Sequence, residues 1–177
     1  MSTLKKFFER IYRKIWVKTK RKRICKEFRE RNNNANFTIL SQNCVGGVIY
    51  KNLGLPFLTP TINCFIEDES FAKLVEKPRF YLSKSAEPLI DCYVDSIDSS
   101  ITYPKIKIED IEICCLHYKN CNEAVAAWNR RRTRVNFDNL YIMANSWNTH
   151  GKKELIDRIG FLGDMGGGGG ILRSYSR

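Results

Sequence analysis

No stretch of this 177-residue chain is apolar for long enough to cross a bilayer, and no apolar segment follows the N-terminal charges as a secretory leader would require. The expectation is therefore a cytoplasmic protein without spanning helices. Histidine is scarce, with only His117 and His150. The seven cysteines (25, 44, 64, 92, 114, 115 and 121) include no C-x-x-C pair with a partner pair. A structural zinc centre is not expected, and the thiols read as reduced. Glu67-Asp68-Glu69 is a short acidic run, read as a solvated helix start in preference to a metal site, so neither metal nor cofactor is expected. Net charge is missing from most of the chain as well. Residues 1–31 hold thirteen Lys or Arg against three Glu, a net of +10 out of +11, which leaves the other 146 residues nearly neutral.

The basicity thus belongs to an arm. Within it Leu4, Phe7, Phe8, Ile11, Tyr12, Ile15 and Trp16 recur at helical spacing, which predicts one apolar stripe with Lys and Arg on the other faces. Such a helix suits an anionic membrane surface, with packing on the protein's own domain as the alternative. Nucleic acid is not an expected partner, because aromatics and charges sit on separate faces and the body offers no second basic surface. Asn32-Asn33-Asn34 reads as a polar hinge, giving an arm at 1–31, a hinge at 32–36 and a body at 37–160.

The densest information lies in Phe37 to Gly54, FTILSQNCVGGVIYKNLG. Phe37–Leu40 is apolar and β-branched, as a buried strand is; Val48–Leu53 reads as a helix stopped by Gly54 ahead of Pro56. A strand that empties through Gly46 and Gly47 into a helix start places backbone N–H groups and a positive dipole end beside Cys44. Such a turn can hold an anion, or it can depress the Cys44 pKa and make a nucleophile. It can also be a tight turn with a buried thiol.

SQNCVGGVIYKNLGLPFLTPTINCFI resembles the opening motif of a bacterial family usually labelled "exopolysaccharide biosynthesis protein", built on a domain of unknown function. Tyr103-Pro104, DIEICCLHY (110–118) and EAVAAWNRRRTRVNFDNL (123–140) resemble its later motifs in the same order, so the resemblance runs from about Phe37 to Ile159. It implies a setting in surface-glycan assembly and no settled reaction. The family pattern also implies further strands after Ile159. Here Gly166–Gly170 intervenes, and residues 161–177 read as a flexible tail without strand propensity.

Strand and helix signals alternate through the body. Strands are predicted near Phe37–Leu40, Ile62–Ile66, Arg79–Leu82, Leu89–Asp95, Ile111–His117 and Leu140–Ala144. Helices are predicted at Val45–Leu53, Asp68–Glu76 with Asp68 as cap, Glu123–Arg134 after Asn120 or Asn122, and Lys152–Ile159. The fold class is α/β, a layered mixed or mostly parallel sheet flanked by helices, with ligands expected beyond the carboxyl ends of the strands. That places Asn43, Cys44 and His117 on one edge. Arg131 and Arg134 close the helix after His117, and its rise separates them from that edge by roughly 15–20 Å. They either complement the helix dipole or hold a phosphate or acidic glycan at a second place.

Three functions follow as expectations. The first is a peripheral-membrane transferase on a phosphate-bearing glycan donor, a nucleotide-sugar or a lipid-linked sugar. In it phosphate meets Asn43, Gly46 and Gly47, and His117 is the general base. The second is a hydrolase or acyltransferase with Cys44 as nucleophile, His117 as base, and Asn136 or Asn145 orienting the imidazole. The third is a non-enzymatic adaptor among polysaccharide-assembly proteins.

Overall fold

The computed structural model describes residues 3–32, 35–145 and 170–175, with side chains for 16, 18–32 and 35–144. Among these the chain runs α1 (Thr3–Arg31), β1 (Thr38–Ser41), α2 (Val45–Leu53), α3 (Asp68–Glu76), α4 (Pro78–Ser83) and β2 (Glu87–Val94). It continues with β3 (Thr102–Ile108), β4 (Ile111–Cys114), α5 (Cys121–Arg132), β5 (Leu140–Asn145) and β6 (Gly170–Tyr175). The class is mixed α/β. One sheet has the order β1-β5-β6, with β1 parallel to β5 and β6 antiparallel; the other is the antiparallel meander β2-β3-β4.

Every residue of β1 is buried, as its unbroken apolar run requires of a strand covered on both faces. Leu40 enters the main core with Ile106, Ile113, Leu140 and Trp128, while Phe37 and Ile39 face the opposite way and pack with Tyr50 and Ile62. Among the described residues no strand pairs with the edge of β1 away from β5. Tyr50 fills in: its hydroxyl donates to Phe37 O and accepts from Ile39 N, both at 2.9 Å. Lower down, Ile66 N donates to Gln42 O at 2.9 Å, and Phe65 exchanges both backbone bonds with Cys114 at 2.7 and 2.8 Å. The predicted strand Ile62–Ile66 is thus reduced to one bridge, and that bridge joins the two sheets.

Other departures have local causes. Arg79–Leu82 is not a strand but part of α4, which starts with Pro78 in the first turn, where the missing N–H costs nothing. Asp68 is the first residue of α3 instead of its cap, and its carboxylate accepts from Gln42 Nε2 at 2.8 Å. β4 stops at Cys114, three residues short of His117, because Pro104, opposite Cys115, accepts from Cys115 N but has no N–H to return, and Tyr118 N then turns back to Cys115 O. Residues 170–175, read from sequence as flexible tail, form β6 against the whole length of β5. The predicted helix Lys152–Ile159 lies outside the described residues. So do the side chains of the stripe Leu4–Ile15, although α1 itself forms.

Candidate functional site

The turn after β1 is built as the sequence anticipates and filled differently. Asn43 Oδ1 accepts from Val45 N at 3.0 Å and lies 3.4 Å from Ser41 Oγ, so it caps the first N–H of α2. The next two N–H groups, of Gly46 and Gly47, have no acceptor inside the helix by its geometry. Both glycines are buried. A Cβ at Gly46 would stand 2.9 Å from Ser41 Cβ, and one at Gly47 would stand 3.4 Å from Ile62 Cγ2. The pair therefore brings α2 down onto β1 and the Ile62 segment. At the far end Gly54 is left-handed (φ 69°), its N–H returning to Lys51 O, which is the predicted stop.

Cys44 is half-buried and its Sγ points to Cys64 O at 3.7 Å. Burial pushes its pKa up, against the lowering that a helix N-terminus alone would give. Cys64 and Cys115 lie fully inside with their sulfurs 4.0 Å apart, and the bond from Cys115 together with burial drives the Cys64 pKa well up. Cys44 and Cys64 are therefore protonated near neutrality. Iodoacetamide should accordingly label Cys44 in the folded protein slowly at pH 7–8, with the rate still rising above pH 8.5, the ordinary thiol value of about 8.5 being exceeded. A labelling midpoint below 8 in a pH series would show the helix end winning over burial.

His117 does not join Cys44 by a hydrogen bond among the described residues; it is exposed, in the turn that β4 vacates early. Its neighbour Tyr118 takes the inward place. The phenol donates to Ile62 O at 2.9 Å and accepts from Arg131 Nη1, and its pKa is pushed up to about 12, chiefly by burial. Arg131 also lies over the Phe57 ring, 5.3 Å from its centroid. Both Arg131 and Cys44 stand close enough to act electrostatically on Cys64.

The Arg131 side chain reaches back from the end of α5 to the Tyr118 that follows His117. Helix rise sets the backbone distance, but a long Arg side chain and a Tyr side chain close the gap between them. The arginine thus stands with Tyr118 and Phe57, and through Tyr118 is tied to the Ile62 segment that packs on Gly47. Arg134 does not join them: it is exposed past the end of α5, which stops at Arg132. Asn136 binds Asn36 O and Thr38 Oγ1 at the amino end of β1, away from Cys44. Tyr118 and Phe57 are the members that sequence spacing did not single out as partners of Arg131, since neither is at a helical or strand interval from it. α5 itself starts as read, with Asn120 Oδ1 accepting from Glu123 N at 2.9 Å and Glu123 reaching back to Lys119 N.

Chemically, the cluster offers a guanidinium, two N–H groups at a helix start and protonated thiols. That set accepts an anion and presents no thiolate. Among the described residues no three His, Cys, Asp or Glu side chains gather as a metal site.

A family model described as "Domain of unknown function (DUF1919)" matches residues 15–162. An "Uncharacterized protein" of Haemophilus influenzae is 32% identical over 130 residues, which covers 72% of this chain and 59% of that protein. The chain therefore spans less than two thirds of the length of the relative it matches. Neither description names a ligand, a reaction or a membrane.

Proposed function

We propose that this chain, a member of the family built on the domain of unknown function DUF1919, serves surface-polysaccharide assembly as a peripheral-membrane transferase at the inner face of the cell membrane. Its donor is a phosphate-bearing glycan, either a nucleotide-sugar or a lipid-linked sugar. The observation that carries this reading is Arg131, delivered by α5 and steadied by Tyr118, whose hydroxyl also donates to Ile62 O, and Ile62 packs against Gly47 at the start of α2. Phosphate charge meets the guanidinium and the N–H groups of Gly46 and Gly47, a pairing suited to an anion at a helix start. His117, exposed next to Tyr118, is free to take a proton from an acceptor hydroxyl arriving from solvent. The raised pKa of Cys44 speaks against thiolate chemistry. The sequence motifs from Phe37 onward support the glycan setting.

Membrane attachment falls to α1. No helix among the described residues is long and apolar enough to cross a membrane. α1 docks on the end of α2 through arginines, Arg21 Nη2 to Asn52 Oδ1 and Arg29 Nε to Asn52 O, both at 3.0 Å. Trp16, Ile24 and Phe28 remain exposed, available to an interface.

One two-armed experiment tests the reading. At ligand concentrations near 100 times Kd, a nucleotide-sugar or polyprenyl phosphate should stabilise the full chain by about 2.7 kcal/mol, roughly 5–11 °C in melting temperature, and Arg131→Ala should remove most of that. In flotation with anionic liposomes, deleting residues 1–31 should release the protein and salt should weaken the full chain's binding. No stabilisation by any anionic glycan ligand would end the transferase reading. Flotation unchanged by the deletion would end the membrane one.

A further inference from the structure

The transferase reading uses neither Cys64 nor Cys115. Their placement follows from the bridge between the two sheets. Phe65 and Cys114 exchange both backbone hydrogen bonds, so they form a hydrogen-bonded antiparallel pair. The next rung sets Cys64 directly opposite Cys115 as a non-hydrogen-bonded pair. Cα atoms on such a rung stand about 4.5 Å apart, within the roughly 4.4–6.8 Å that a disulfide spans. Side chains on one rung share one face. Here that face is the main core, where both residues are buried with their sulfurs 4.0 Å apart. Bringing the sulfurs to a bonded ~2.05 Å moves each of them by about 1 Å.

We propose that Cys64 and Cys115 form a reversible disulfide when a peroxide is present, a covalent staple between the two sheets beside their backbone bridge. One thiolate attacks the peroxide O–O bond and becomes a sulfenic acid, releasing hydroxide. The other sulfur then attacks the sulfenic sulfur and expels a second hydroxide. The two thiol protons neutralise both, so two thiols and one peroxide become one disulfide and two waters.

The bond fixes the Ile62–Ile66 segment, on which Gly47 of α2 rests, to the end of β4. It joins residues 51 apart in sequence, and closing so long a loop restricts the unfolded chain. Burial and the bond from Cys115 hold the Cys64 thiol protonated, so closure is slow near neutrality and speeds up as pH rises. The inference does not depend on the transferase reading, and its test uses no glycan ligand.

The full chain is incubated with hydrogen peroxide, capped with N-ethylmaleimide and digested with trypsin, and fragment spectra distinguish Cys115 from its neighbour Cys114. A Cys64–Cys115 link should be the main intramolecular disulfide, forming faster at pH 9 than at pH 7. The melting temperature should rise by roughly 4–16 °C and fall back with dithiothreitol. Cys115→Ala should show no such rise against its own reduced form. Should that variant fail to fold, the peptide map of the unaltered chain still decides. The proposal is overturned by a main link from Cys44 to Cys64, by links only between molecules through exposed Cys92, by no intramolecular link at all, or by a Cys64–Cys115 link that leaves the melting temperature unchanged.

Discussion

Replacing Trp128 with Ala should destabilise the protein by about 3–5 kcal/mol, the usual cost of emptying a large buried aromatic site. Trp128 is among the largest fully buried side chains, and its indole N–H donates to Lys84 O at 3.1 Å. That one residue therefore pins α5 to the main core and to the segment after α4. For a chain of this length the loss corresponds to roughly 6–20 °C in melting temperature. Trp128→Phe keeps most of the apolar contact but strands the Lys84 carbonyl, so about 1–3 kcal/mol is expected. Urea unfolding of the three proteins gives the comparison. Because α5 carries Arg131, folded Trp128→Ala should also lose its response to anionic ligands. A cost below about 1 kcal/mol would mean that α5 does not rest on the core through this residue.

The second large effect separates two adjacent glycines. Gly46→Ala drives a Cβ to 2.9 Å from Ser41 Cβ, which is fixed to the backbone of buried β1 and cannot swing away. Overpacking of this kind costs about 1–3 kcal/mol, more than the gain of up to about 1 kcal/mol from a better helix former. Gly47→Ala meets only an ordinary contact with Ile62 at 3.4 Å, so the helix gain should decide and the variant should be neutral or slightly more stable. Denaturation midpoints of the two variants, side by side, read this directly. Equal effects would show that the α2–β1 contact is looser than described.

Much of this architecture is legible in the sequence for reasons that are local. α2 and α3 are bounded as read, because Gly54 and the acidic start at Asp68 are signals carried by single residues. β1, β2 and β5 follow from apolar or β-branched runs. β3 does not announce itself: TYPKIKI contains a proline and two lysines. Only the fold shows that Lys105 is buried yet paired with Glu112 at 3.3 Å and laid on the Tyr93 ring. α4 hides for the opposite reason, since its Phe80 and Tyr81 look like strand residues and tertiary packing overrides them. The Asn43–Gly47 turn was visible because it is contiguous. The arrival of Arg131 was not, because it depends on β4 ending early and on the reach of two side chains.

The bridge between Phe65 and Cys114, together with the core that Leu40 and Leu140 share with Ile106 and Ile113, ties two sheet plates into one body. The Cys44 turn rides on the β1 plate, whereas Tyr118 and Arg131 ride with the meander and its helix. A ligand held between them would bind both plates at once. Its affinity then measures how firmly the halves are clasped, and anything that loosens the clasp weakens the grip without touching a contact residue.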